Sequence, residues 1–99
     1  AELEAITYET YGPGGAAIII EALTDSRNRT AQEIKHLLLE LGLALATPHS
    51  ALWAFERTGT TYVPKTTVAL SESDNDALMK ILERLDAHDD VEEVYTNAE

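Results

Sequence analysis

Hydrophobic and polar positions follow one another in patterns that predict five strands and two helices. Residues 6–11 alternate and predict a first strand, and the Ile-rich run from Ala16 to Thr24 predicts a second strand, covered on at least one face. The residues between these two strands are Gly12-Pro13-Gly14-Gly15. They predict a tight turn, because glycine tolerates positive φ and proline fixes φ. The two strands are expected to pair through this turn.

Two later segments carry the apolar stripe of an amphipathic helix, with hydrophobic residues at i, i+3, i+4 and i+7. The stripes are Ile34, Leu37, Leu38 and Leu41 in the first segment and Leu78, Ile81, Leu82 and Leu85 in the second. Thr30 and Glu33 form a capping box, so the first helix is expected to begin after Thr30. Ser71 or Ser73 is expected to cap the second helix.

A hairpin is predicted between the helices. Residues 50–57 predict a strand with Trp53 and Phe55 on one face, and residues 61–70 predict its antiparallel return, in which Pro64 indicates an edge or a bulge. Aromatic residues on a sheet can stack nucleobases, but modules that do so interleave them with lysine and glycine. Their neighbours here are Ala51, Ala54 and Glu56, so core packing is favoured for the two aromatic residues.

The order of elements predicts an α+β domain of the ferredoxin-like βαββαβ type with an extra N-terminal strand. Its four-stranded antiparallel sheet is expected to carry both helices on one face. The last strand, Val91 to Thr96, places Val91 and Val94 on opposite faces, so at most one of them should face the helices. The 99 residues are expected to form a single domain, residues 1–99.

Charge narrows the choice of partners. The formal net charge is −11, from 18 acidic and 7 basic residues. Affinity for nucleic acid comes largely from cations that neutralise phosphates, so a domain this acidic should bind nucleic acid weakly by itself unless its few cations cluster. There is no cysteine, which excludes disulfides and thiolate metal sites, and no apolar run approaches the ~18 residues of a membrane helix.

Catalytic signatures are absent from the sequence, so we predict no enzyme, no metal and no cofactor. There is no nucleophile elbow, and the glycine-rich turn lacks the Lys and Ser/Thr of a phosphate loop. Asp89-Asp90 and Glu92-Glu93 lack the central glycine of a calcium loop and are better explained as a solvated charge run. The histidines, none of them spaced as metal ligands, are His36, His49 and His88.

The polar loop from Asp25 to Thr30 is the best candidate for a binding site. Arg27 and Arg29 lie beside a predicted helix N-terminus, where arginine and exposed N–H groups favour phosphate or carboxylate, and Lys35 follows one to two turns later. The favoured alternative is that these arginines only balance nearby acids. The Gly12–Gly15 turn is poor in side chains and would let a partner approach its backbone closely.

Five short strings together resemble the YebC/PmpR family, a group that includes a mitochondrial translational activator. They are Tyr11–Gly15, Glu21–Thr30, Phe55–Arg57, Pro64–Val68 and Asp89–Asn97. The resemblance covers the middle α/β domain of three. A basic N-terminal helical domain has no counterpart here, and the turn from Thr58 to Thr61 replaces an inserted domain. The resemblance therefore implies an excised or engineered core domain.

The resemblance also implies a cytoplasmic regulator of gene expression. The family is described both as DNA-binding transcriptional regulators and as ribosome-associated translation factors, so nucleic acid or the ribosome is the implied partner of the full-length protein. Contacts would fall largely on the missing basic domain, with residual ones through Arg27, Arg29, Lys35 and the Gly12–Gly15 turn. No membrane partner is expected.

Two alternatives stay open. Residues 18–45 also resemble ACT domains, which bind amino acids at such loops and dimerise through their sheets, although these favour glycine where Ser26, Arg27 and Asn28 stand here. The other alternative is a fragment without a function of its own. Leucines outside the helix stripes, among them Leu39 and Leu43, would support a homodimer.

Overall fold

Five strands and two helices are present in the computed structural model, which describes residues 2–47, 50–59 and 61–99. The strands are β1 (Glu4–Tyr11), β2 (Ala17–Thr24), β3 (Phe55–Thr58), β4 (Thr61–Pro64) and β5 (Val91–Thr96). The helices are α1 (Arg27–Glu40) and α2 (Glu72–Asp86), and short 3₁₀ turns occupy Pro13–Gly15 and Leu52–Ala54. The class predicted from the sequence, α+β with an antiparallel sheet and two helices, is confirmed.

The main sheet has the order β1-β2-β5 and is antiparallel throughout. β1 and β2 pair across the Gly12–Gly15 turn as predicted, with Tyr8 opposite Ile20. β2 lies in the centre, and its residues 17–20 are fully buried. A strand covered on both faces has no need of polar alternation, which explains its continuous apolar run.

The β3–β4 hairpin forms a separate two-stranded sheet, which differs from the predicted four-stranded arrangement. A strand has only two edges, and those of β2 are taken by β1 and β5. The hairpin therefore cannot pair with β2 and packs instead on the face of the main sheet opposite the helices.

Two hydrophobic cores result, one on each face of β2. On the helix side Ile18, Ile20 and Ala22 pack with buried residues of both helices: Ile34, Leu38, Leu78, Ile81 and Leu85. On the hairpin side the core consists of Ala17, Ile19, Ala51, Ala54 and Phe55. The predicted helix stripes thus face the sheet.

The start of α1 differs from the prediction. The helix begins at Arg27 after Ser26, one turn before the expected cap at Thr30. Thr24 Oγ1 accepts a hydrogen bond from the Ser26 N–H (2.9 Å), and this local turn fixes the chain entering the helix. Thr30 therefore lies within the helix, and its side chain is buried. In α2, the Ser71 hydroxyl accepts from the Asp74 N–H (3.2 Å), so the cap at Ser71 is confirmed.

The hairpin is shorter than predicted. The 3₁₀ turn Leu52–Ala54 replaces the start of the first strand and rotates Trp53 outward, where it is 52% exposed, while Phe55 enters the core. Core packing is thus confirmed for Phe55 and wrong for Trp53. β4 ends at Pro64, and the N–H groups of the next two residues, Lys65 and Thr66, both donate to the carbonyl of Ala54 (2.9 and 3.3 Å).

A bulge in β5 corrects the prediction for its valines. Glu93 lies opposite Glu21 and Val91 opposite Ala22, so the register shifts by one residue at Glu92. The extra residue brings Val91 onto the same face as Val94, and both pack against the helix-side core.

Candidate functional site

A polar cluster joins the end of β2, the first turns of α1 and the start of β5. We call it the Arg29 cluster. Its members are Thr24, Asp25, Arg29, Thr30, Glu33, His88 and Asp90. Five of these belong to strings that carry the family resemblance, and the predicted loop from Asp25 to Thr30 supplies three of them.

Arg29 lies at the centre of this cluster. Its Nη2 donates to Asp90 Oδ2 (3.1 Å) and to Thr24 Oγ1 (3.1 Å), and its Nη1 donates to Asp25 Oδ1 (3.2 Å). Its Nε is 3.9 Å from Glu33 Oε2. The hydrogen bond to Asp90 raises the pKa of the Arg29 guanidinium, so its positive charge is secure. Three carboxylates of the domain itself thus neutralise this arginine.

Asp90 fastens β5 to α1. The Thr30 hydroxyl donates to Asp90 Oδ2 at 2.8 Å, and the Asp90 carbonyl accepts from the Leu23 N–H at 2.8 Å. The pKa of Asp90 is lowered, first by the Thr30 hydrogen bond and then by the hydrogen bond and positive charge of Arg29. The carboxylate therefore stays ionised and holds the two elements together.

His88 gives this cluster the composition of a metal site, with one ligand atom each from Glu33, His88 and Asp90 within 4.8 Å of one another. The hydrogen bonds oppose that role. The Asp90 N–H donates to His88 Nδ1 (3.1 Å), so a neutral ring carries its proton on Nε2, which lies 2.9 Å from Glu33 Oε1. A protonated Nε2 has no lone pair for a metal. The arrangement thus favours a hydrogen-bonded clasp.

The other two predicted cations lie apart from Arg29. Arg27 is exposed and its Nη1 is 3.3 Å from Glu4 Oε2 in β1. It stands two residues from Arg29, so the two side chains leave different sides of the helix. Lys35 is exposed near the middle of α1. The structure does not bring the three together, and anion or nucleic-acid binding by Arg27, Arg29 and Lys35 stays a prediction.

The Gly12–Gly15 turn packs against the start of α2. Gly14 has a φ of 69°, and a Cβ built there would lie 2.5 Å from Leu70 Cδ2. Gly15 also has a positive φ, 81°, but a Cβ there would meet only open space. The structure thus favours glycine at position 14, through its positive φ and its close approach to Leu70. Contact of this turn with an external backbone stays a prediction.

Asn97 is a key residue that the sequence analysis did not single out. It is fully buried. Its Oδ1 accepts from the Ala17 N–H (2.7 Å) and its Nδ2 donates to the Thr66 carbonyl (2.8 Å). One amide thus joins β2 to the segment that leads into α2. The available signal was a polar residue directly after the last strand, within a string that resembles the family.

A shallow apolar groove of about 690 Å³ lies between the Gly12–Gly15 turn, residues 41–46 and α2. None of its lining side chains is charged. The ACT-like alternative expects its amino-acid site at the loop with Ser26, Arg27 and Asn28, outside this groove, and it stays a prediction. Leu39 and Leu45 are exposed nearby on the surface, and the homodimer stays a prediction.

The remaining positions of interest add no site. His36 is exposed and pairs with Glu40 on its own helix (3.0 Å), and His49 lies outside the described residues. Among the residues described, neither helix is long and apolar enough to cross a membrane.

Comparison with known proteins places these features in a family context. The family model for the second and third domain of TACO1/YebC matches residues 3–61 and 58–98. A probable transcriptional regulatory protein of Petrotoga mobilis is 45% identical over 103 residues, covering 99% of this chain and 39% of that protein. One of Chlorobaculum parvum is 48% identical over 101 residues, covering 97% and 38%. The chain thus spans about two-fifths of the length of these relatives.

A solved structure shows the same fold. The crystal structure of a conserved hypothetical protein, Aq1575 from Aquifex aeolicus, superposes with a TM-score of 0.89 at 23% identity. The match covers 100% of this chain and 66% of that one.

One relative is longer within the region that this chain matches. A relative from Kosmotoga olearia, 33% identical, aligns over 152 positions, and these include 93% of this chain and 60% of that protein. The alignment is more than 50 positions longer than this chain of 99 residues. The two matches of the family model overlap at residues 58–61, between the end of β3 at Thr58 and the start of β4 at Thr61.

Proposed function

This chain belongs to the TACO1/YebC family, and we propose that it is the non-enzymatic core domain of a regulator of gene expression. Its relatives are named probable transcriptional regulatory proteins. Because the chain spans about two-fifths of their length, the activity of the whole protein belongs to the proposal. We propose that it acts in transcription or in translation, in the cytoplasm.

The state of the arginines is the observation that carries the scaffold role. Arg29 is held by Asp25, Glu33 and Asp90, and Arg27 is paired with Glu4. With a net charge of −11, few cations are left to neutralise phosphates. We therefore assign the main contacts with nucleic acid or the ribosome to other parts of the full-length protein. This domain contributes weak contacts at most.

A titration of the domain tests this division of roles. Fluorescently labelled RNA and DNA of about 20 nucleotides are titrated at low salt and at roughly 0.15 M salt, and fluorescence anisotropy is followed. We expect no saturable binding at the higher salt concentration.

Single variants identify the source of any binding that does survive. Arg27→Ala and Lys35→Ala remove exposed cations of α1, and Lys80→Ala removes one from α2 as a matched control. Binding at 0.15 M salt that weakens in the two α1 variants and not in Lys80→Ala would contradict the scaffold proposal and establish a nucleic-acid site on α1.

A further inference from the structure

β5 leaves one of its edges open. It lies at the border of the main sheet and pairs with β2 on one side only. Beyond the end of β5 the same border is covered: Val68 donates its N–H to the Asn97 carbonyl (3.0 Å), and Glu99 donates to the Val68 carbonyl (2.8 Å). From Val91 to Thr96, no strand of the described ranges 2–47, 50–59 and 61–99 occupies this side. Unpaired backbone groups on a strand edge are a template for another strand.

An apolar groove follows this open edge, between β5 and α2. It has a volume of about 250 Å³. Met79 is 55% exposed on its helical wall, and Leu82 and Val94 are half-buried in it. An exposed methionine beside other apolar groups provides an adaptable surface for an incoming side chain.

The rim of the groove carries charge of one sign. Its ionisable lining residues are Glu83, Asp86 and Glu93, and none of the lining residues is basic. Glu92 stands next along the same strand. An apolar groove with an acidic rim, beside an unpaired strand edge, combines the features by which extended basic segments are bound.

We propose that β5 and this groove bind an extended, basic segment of another protein, which joins the main sheet as a fourth strand. Backbone hydrogen bonds to β5 would provide affinity. One apolar side chain would fill the space between Met79 and Val94. Lysine or arginine residues two positions before and after it would share its face and lie opposite Glu83 and Asp86. The alternation of side chains along a strand places positions i−2, i and i+2 on one face, so one apolar contact can be flanked by two charges.

A second copy of this chain fits the edge poorly. Two β5 strands laid side by side would bring Glu92 and Glu93 of both copies together, and like charges directly opposite each other destabilise strand pairs. The net charge of −11 on each copy adds long-range repulsion. Charge complementarity therefore selects a basic partner.

Synthetic peptides test the mode of binding. The probe is a fluorescent heptapeptide with a central valine, a lysine two residues to either side of it, and threonine at the other positions. One control peptide replaces lysine by glutamate, and a second replaces the central valine by proline, which cannot donate to a strand ladder. We expect saturable binding of the probe that weakens as salt rises, no binding of the acidic peptide, and strongly reduced binding of the proline peptide. Amide resonances of Glu92 and Val94 should shift on titration.

Paired charge reversals test the location. Glu83→Lys with Asp86→Lys should lower the affinity for the probe about tenfold, since two rim charges are inverted. Glu72→Lys with Asp76→Lys makes the same change in net charge on exposed positions near the start of α2. Equal losses in the two pairs, or amide shifts at the β1 edge and not at β5, would overturn the proposal. So would a dimer, seen by light scattering, that the probe dissociates.

Discussion

Replacing Asn97 by alanine should be among the most destabilising single changes available in this domain. The side chain is fully buried and makes two hydrogen bonds to backbone groups far away in the sequence. Truncation removes both partners at once. It leaves the N–H of Ala17 facing a buried cavity.

The size of the effect follows from the two groups that lose their partner. Ala17 is fully buried, so its unsatisfied N–H should cost about 1–3 kcal/mol. Thr66 is an exposed residue, so its carbonyl can turn to water and should cost less. We expect a total loss of about 2–3 kcal/mol in the free energy of unfolding, a large share of the ~5–15 kcal/mol of an ordinary domain.

Urea denaturation followed by circular dichroism measures this loss, with hydrogen exchange of the Ala17 amide as a local probe. Asn75→Ala is the matched control, because Asn75 is exposed on α2 and its removal should change stability by less than about 0.5 kcal/mol. If Asn97→Ala cost less than about 1 kcal/mol, or left exchange at Ala17 unchanged, the assigned role of this amide would be wrong.

Two further predictions concern the Arg29 cluster and the glycine turn. The pKa of Asp90 is lowered from 3.8, so its stabilisation is present at neutral pH and is lost as the pH falls below that value. Asp90→Asn should therefore be less stable at pH 7, and its free energy of unfolding should fall less steeply in acid. Thr30→Val should change this acid dependence in the same direction. An unchanged acid dependence in urea titrations at several pH values would disprove this. Gly14→Ala should lower stability by about 2–3 kcal/mol, through positive φ and the clash with Leu70. Gly42→Ala shares the positive φ, 79°, but has open space, so it should lose only about 1 kcal/mol in thermal unfolding, and equal losses would show that Leu70 yields.

Local patterns predicted the elements well. The stripes of α1 and α2 and the pairing of β1 with β2 are visible in the order of apolar residues and in one turn. The number of strands in the sheet was not visible, because it depends on which strand occupies each edge of β2. That competition is decided between segments far apart in the chain. The bulge at Glu92 has the same origin, since it arises from the register between β5 and β2.

The candidate site shows the same division. Asp25 and Glu33 lie four residues on either side of Arg29, so a sequence reader can expect them to neutralise it. Asp90 lies 61 residues away, and only the fold brings it to the same guanidinium. The buried hydroxyl of Thr30 was predicted as a helix cap, because a capping box describes local geometry alone and cannot reveal a distant carboxylate.

The separate β3–β4 hairpin has a consequence for how members of this family gain or lose length. Its ladder is closed within itself, so material added at its tip leaves the β1-β2-β5 register untouched. An added unit would be joined to the end of β3 and the start of β4, which lie one strand spacing apart, about 5 Å. A unit whose own termini lie close together can therefore be joined there directly, whereas a unit with distant termini needs linker residues to reach both strands. The width of a single strand pair thus sets how much linker an insertion requires.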